Sequence, residues 1–210
     1  MAIVKRGKRA SIDSVDSDER NRPHDLAGLT ANLDNSDPVA RRSAARDLAP
    51  FTDAAPALIE RLEHEVDATV REAILMSLTD IGNATAVKGL VGCLRSEDVA
   101  LRNEAIQAMK HLPDAVAPIM AGLLADPEAD VRIFAVNVLE SLRHPDVEKW
   151  LIEVISEDEH INVCATAVDL LTEVGSEAAV APLEALKRRF HDEPYIVFAA
   201  DLALRRIREE

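Results

Sequence analysis

The chain has 210 residues, 48% of them hydrophobic, which is enough to bury a real core and excludes the disordered and collagenous classes. Aromatics make up only 3%, so the core must be built from Ala, Leu, Val and Ile, which favours packed helices over a sheet. A formal net charge of −14 at pH 7 sets the chain against phosphate backbones and argues against nucleic acid as a partner.

The first stretch, residues 1–23, stands apart from the rest. Six basic side chains (Lys5, Arg6, Lys8, Arg9, Arg20, Arg22) and four acidic ones (Asp13, Asp16, Asp18, Glu19) leave it slightly positive. Charges interrupt it before any apolar run develops, so it does not read as a secretory signal. We expect a flexible polar tail whose KRGKR cluster either stays solvated or touches an acidic surface. No later run reaches membrane-spanning length, so no membrane association is expected. The two cysteines, Cys93 and Cys164, give no disulfide framework, and a cytoplasmic location is expected.

Residues 24–33, HDLAGLTANL, read as an unpaired second helix. Beyond it a phrase recurs about every thirty-one residues, anchored at Arg41, Arg71, Arg102, Arg132, Cys164 and Val197. Three residues after each anchor stands Ala44, Ile74, Ala105, Ala135, Ala167 or Ala200. Seven after stands Leu48, Leu78, Met109, Leu139, Leu171 or Leu204. Those offsets share one helix face. Each such first helix should break before a capping residue, at Asp53, Asn83, Asp114, Asp146 and Ser176, and a second helix should follow. Pro56, Pro118 and Pro182 are expected near the first turns of second helices, with Gly175 the one glycine marking a break. Residues 193–208 close the chain as an unpaired first helix. Five helix pairs over about 36–190 therefore form one domain spanning 24–210.

The pattern D-x-x-V-R-x-x-A, clearest in DATVREA, DVALRNEA and EADVRIFA, resembles the short HEAT-like repeats of the phycobilisome-lyase type. The resemblance covers about residues 24–208. It implies an all-α fold, a right-handed α-solenoid of stacked antiparallel helix pairs. It also implies a bacterial-type protein that works by holding another protein on its concave face. The alternative within this resemblance is a phycobilin lyase-like or chromophore-handling subunit acting in a heteromer.

In stacked pairs, an acid at the start of each first helix stabilises the exposed N–H groups, and an arginine one turn later can reach its own acid or the next. Asp67, Asp98 and Glu128 with Arg71, Arg102 and Arg132 are therefore expected to form a structural ladder. It should fail at Cys164 and Val197, either through drift near a capping repeat or because that edge is remodelled for a partner.

No motif for catalysis emerges. HEAT-like deoxyhypusine hydroxylases bind iron through His-Glu pairs near the starts of first helices. Here those stretches keep Glu72 and Glu104 without the histidine. The step His64-Glu65 lies at the end of a second helix, so no metal site and no cofactor are expected. Cys93 and Cys164 stand on different repeats, too far apart to bridge.

If Leu58, Leu90, Ile119, Leu151 and Leu183 face the core, the opposite face of the middle second helices carries Lys88, Gly92, Ala117, Ala121, Lys149 and Glu153. Trp150 stands beside that stripe, where it can anchor a partner or pack between helices. These seven residues are the candidate protein-binding set. No small-molecule substrate is expected.

Overall fold

The computed structural model describes residues 25–209. The tail expected at 1–23 lies outside the described residues. Within them the chain forms twelve α-helices, a short 3-10 turn at Thr52–Ala54 and no strand. The first half begins with a lone second helix, α1 (Leu26–Asn32). Two pairs follow: α2 (Pro38–Asp47) with α3 (Ala55–His64), then α4 (Ala68–Ile81) with α5 (Ala84–Cys93). Next come α6 (Val99–Lys110) with α7 (Pro113–Leu124), and α8 (Ala129–Leu139) with α9 (Val147–Glu157). The last pair is α10 (Ile161–Val174) with α11 (Glu177–Arg189), and α12 (Pro194–Glu209) closes the chain.

First helices pack on first helices in an unbroken series from α2 to α12, and second helices form a parallel layer. The result is an α-solenoid. Its core follows the periodicity closely: every side chain three or seven residues past an anchor is 2% exposed or less. One methylene lost from such a site removes roughly 0.8 kcal/mol of burial, before any cavity forms. Polar bonds at the repeat spacing stitch neighbouring layers. The Ser77 hydroxyl donates to the Ala45 carbonyl at 2.8 Å, and the Asn83 amide donates to the Thr52 carbonyl at 3.0 Å.

Several local expectations need correction. Asn83 and Ser176 do cap their helices through side-chain oxygens. Asp53, by contrast, lies within the 3-10 turn, and Asp114 already stands inside the first turn of α7, which begins at Pro113. Asp146 holds the cap position of α9 without a side-chain bond. Pro118 and Pro182 fall beyond the first turn, inside α7 and α11. Gly82 also ends a helix: at φ +54 it takes the left-handed conformation after α4, and its N–H donates to the Leu78 carbonyl.

The register of α7 is shifted by one residue. Met120 is fully buried, while Ile119 is 36% exposed. Val116, Met120 and Leu123 fall at i, i+4 and i+7 on the buried side, and Ile119 lies about 100° away from Met120 around the helix. The core positions of the second helices are therefore Leu58, Leu90, Met120, Leu151 and Leu183, each 0% exposed.

Candidate interaction face

With that register, the residues two before and two after each second-helix core position are Pro56 and Glu60, Lys88 and Gly92, Pro118 and Gly122, Lys149 and Glu153, and Ala181 and Ala185. Every one of them is exposed. Pro118 and Gly122 thus replace Ala117 and Ala121 as the outward pair of α7. Ala117 is half-buried and packs against the core, so it leaves the candidate set. Ala121 remains exposed at the edge of the stripe.

The face carries two grooves. One, of ≈ 660 Å³, runs between α3 and α5, with Pro56, Ile59, Glu60, Lys88, Gly89 and Gly92 among its walls. Its floor is set by Gly89, where a Cβ would meet Ile59 Cγ1 at 2.4 Å, so the two helices approach as closely as they do only because that position is glycine. Gly92 is different, because no heavy atom lies within 4 Å of where its Cβ would stand. The second groove, of ≈ 380 Å³, lies between α7 and α9, the least closely packed neighbours among the full second helices. Ala121, Leu124, Trp150 and Glu153 line it, with Glu157 and Glu159 at its rim.

Trp150 is 8% exposed and stacks on the His144 ring, centroids 4.9 Å apart and planes at 17°. Packing takes most of its surface, so of the two expectations for Trp150 the structure agrees with packing between helices, and the ring forms part of the groove floor. Lys149 and Glu153 pair at 3.8 Å, but both are at least half exposed, and such pairs contribute little.

The loops entering the first helices carry the acid and arginine groups. Asp67 and Asp98 cap α4 and α6, accepting from Thr69 and Val70 and from Ala100 and Leu101. Glu128 stands at the cap position of α8 without capping it and pairs instead with Arg95 at 3.3 Å. Arg71 reaches Asp98 of the next repeat at 2.5 Å, and this bond is the leading reason the Asp98 carboxyl sits below its ordinary range. Arg71 Nε faces Glu104 at 4.0 Å, and both atoms are buried without a hydrogen-bond partner.

Arg132 forks onto Asp158 at 2.7 and 3.0 Å. Arg102 pairs with no acid among the described residues; it donates to the Ser96 carbonyl at 2.5 Å and lies 5.5 Å over the Phe134 ring.

A second regularity runs through these loops. Each anchor at 41, 102, 132 and 164 donates to the carbonyl six residues upstream, on Asn35, Ser96, Asp126 and Asp158. The acids at that upstream position, Glu65, Asp126 and Asp158, accept from Arg41, Arg95 and Arg132 of the preceding repeat. Sequence reasoning missed these acids, although aligning residues six before each anchor would have shown the column.

Glu65 is the most enclosed. Arg41 forks onto it at 2.7 and 2.9 Å, Arg61 adds a bond at 2.9 Å, and the amides of Val66 and Asp67 donate as well. Burial alone would push its carboxyl up. The Arg41 fork, the Asp67 amide and Arg61 outweigh that and hold it at about 2.

Neither cysteine is prepared for nucleophilic work. Burial, with Glu63 nearby, pushes the Cys93 thiol up to about 11, and burial also raises that of the fully enclosed Cys164. Among the described residues no cluster of three or more His, Cys, Asp or Glu side chains is arranged to hold a metal ion. No described helix is long and apolar enough to cross a membrane.

Stacked antiparallel helix pairs with a common anchor spacing place the protein among the α-solenoid repeat proteins. The family model for HEAT repeats matches residues 26–110 and 116–205, and the chain belongs to that family. A relative, the phycocyanobilin lyase subunit alpha of Nostoc sp., is 36% identical over 94 residues, 40% of this chain. The matched region spans about a third (34%) of that relative's length.

Among solved structures, the archaeal HEAT-like repeats protein of Thermococcus onnurineus aligns over 95% of this chain and 94% of its own, at 17% identity and a TM-score of 0.47. The CpcE and CpcF complex of phycocyanin lyase from Nostoc sp. aligns over 86% of this chain and 95% of the matched chain, at 20% identity and a TM-score of 0.36.

Proposed function

We propose that the protein is a scaffold that holds a protein partner along the exposed face of its second helices, without chemistry of its own. One observation carries this reading: ten outward positions on five successive second helices are all exposed, and the grooves between them have small or glycine residues where a partner backbone can approach. Lys88, Gly92, Ala121, Lys149 and Glu153 would contact the partner, with Trp150 beneath them. The two free cysteines suit a reducing compartment such as the cytoplasm.

Gly92→Arg fills the first groove and Ala121→Arg the second. Because neither side chain is in the core, both variants should keep the wild-type melting temperature and helical signal while losing partners captured from lysate by the native chain. Normal capture by both variants would remove the face from consideration.

A second reading is favoured by the similarity to the lyase subunit: this chain would act as one member of a heteromer that handles a linear tetrapyrrole. Co-expression with a bilin distinguishes the two. A stable visible absorption band on the purified protein supports the second reading, and a colourless protein supports the scaffold.

A further inference from the structure

The exposed apolar residues of α12 form a single stripe: Tyr195 is 61% exposed, Phe198 62% and Leu202 44%. In a chain with 3% aromatic residues this is a concentration, and the same offsets on α6 carry Ala100, Asn103 and Gln107. The residues equivalent to Leu202 on α4, α6 and α10 (Met76, Gln107 and Asp169) stay exposed although a following first helix packs on each, so Leu202 lies on the outer surface of the first-helix layer. On α10, which α12 covers, the equivalent of Phe198 is Ala165, and it is buried. Among the described residues nothing covers α12 in the same way.

The charges flanking the stripe are unevenly placed along the helix. Asp192 and Glu193 stand at its start, and Arg205, Arg206 and Arg208 stand at its end with the single acid Glu209. Arg205 makes no carboxylate pair among the described residues, donating only to the Asp201 carbonyl at 3.4 Å. Arg206 and Arg208 are more than half exposed despite their bonds to Glu173 and Glu184.

We propose that α12 is a self-association surface, and that a second copy of this chain packs its own α12 antiparallel against it about a two-fold axis. That arrangement sets Phe198 of each copy against Leu202 of the other. It also brings the acidic start of each helix to the arginine-rich end of its mate. The stripe is complementary to itself when reversed, as an isologous interface requires. Antiparallel pairing aligns the helix dipoles favourably as well. Tyr195 sits at the margin, next to Asp169 on α10. The net charge of −14 per copy opposes association, but a Debye length of about 8 Å at physiological salt screens the distant charges and leaves the contact pairs effective.

Sedimentation equilibrium of the full chain across a dilution series tests this. The weight-average mass should rise from 22.9 kDa toward twice that value. Phe198→Glu should weaken association by about tenfold or more, the equivalent of 1.4 kcal/mol, with the melting curve of the monomer unchanged. The double reversal Arg205→Glu with Arg206→Glu should weaken it too, and adding Asp192→Lys and Glu193→Lys should restore it. Gly92→Arg should leave it intact, which separates this surface from the second-helix face. A monomer at every concentration overturns the proposal, as does a dimer indifferent to Phe198→Glu or a charge reversal that the second reversal does not rescue.

Discussion

The loop before α2 and the loop before α10 solve one problem with different residues. Before α2, the anchor Arg41 holds the carbonyls of Asn35 and Ser36 with one guanidinium nitrogen and forks onto Glu65 with the other two. Before α10, the anchor is Cys164, which reaches only the Asp158 carbonyl, at 3.2 Å. There Arg189, from the last turn of α11, supplies the missing guanidinium. It donates to the carbonyls of Ile155, Ser156 and Asp158 and to the Cys164 sulfur. What recurs at four of the six anchors is a side-chain donor to the loop carbonyls that precede a first helix, because unbonded backbone groups there would cost free energy. The source of the donor can change.

The most disruptive way to break this comparison is Arg41→Ala. Arg41 is 7% exposed and Glu65 5%, so the variant leaves a buried carboxylate without its main partner. Removing one member of such a pair costs about 3 to 5 kcal/mol. The lower end is expected, because Arg61 stays in place, and urea unfolding would measure it.

The second-largest effect is on acid stability. Glu65 falls from 4.5 to about 2 on folding, so its contribution is complete above its unfolded value and is lost as pH falls through the folded one. The wild type should lose roughly 3 kcal/mol between about pH 4.5 and pH 2 from this group. Glu65→Gln, already weakened at neutral pH, should show a shallower decline over the same window.

The rear loop is tested by a double-mutant cycle. Arg189→Ala removes three carbonyl contacts and should cost about 1 to 2 kcal/mol. Cys164→Arg should destabilise the wild type, since Arg189 already occupies that space. In the Arg189→Ala background it should instead recover stability, by restoring the guanidinium at the anchor. Equal effects of Cys164→Arg in both backgrounds would refute the idea that Arg189 substitutes for the anchor. Among the described residues no acid and arginine pair continues the ladder at Cys164; Arg189 takes over the carbonyl contacts alone.

The stacking was legible because hydrophobic residues at anchor +3 and +7 repeat in both helical and thirty-one-residue registers, and burial there depends on spacing alone. The loop chemistry was less so. Glu65 follows His64 and invites reading as a possible metal step, whereas its enclosure comes from Arg41, twenty-four residues away. Arg189 is out of phase with every anchor, and only the turn of the chain after α11 brings it to Cys164. The α7 register was missed because the distance from the buried +7 residue to the second-helix core residue varies from joint to joint, so Ile119 and Met120 were equally plausible in the pattern. The second-helix face needed that register before its outward residues could be named.

The smallest effect separates the two kinds of anchor. Arg102 was expected to hold acids, yet its guanidinium meets only the Ser96 carbonyl and the face of Phe134. Arg102→Ala therefore strands no carboxylate, and one hydrogen bond plus a half-exposed cation–π contact amount to about 1 kcal/mol. The pH dependence is the sharper readout. In Arg41→Ala the poorly paired Glu65 becomes easier to protonate, so its penalty relative to the wild type should shrink as pH falls toward 3. Among the described residues no carboxylate pairs with Arg102, so its penalty should stay level over that range. A penalty for Arg102→Ala that also shrinks in acid would mean that Arg102 does hold an acid in solution, and that the first half of the solenoid uses one uniform ladder after all.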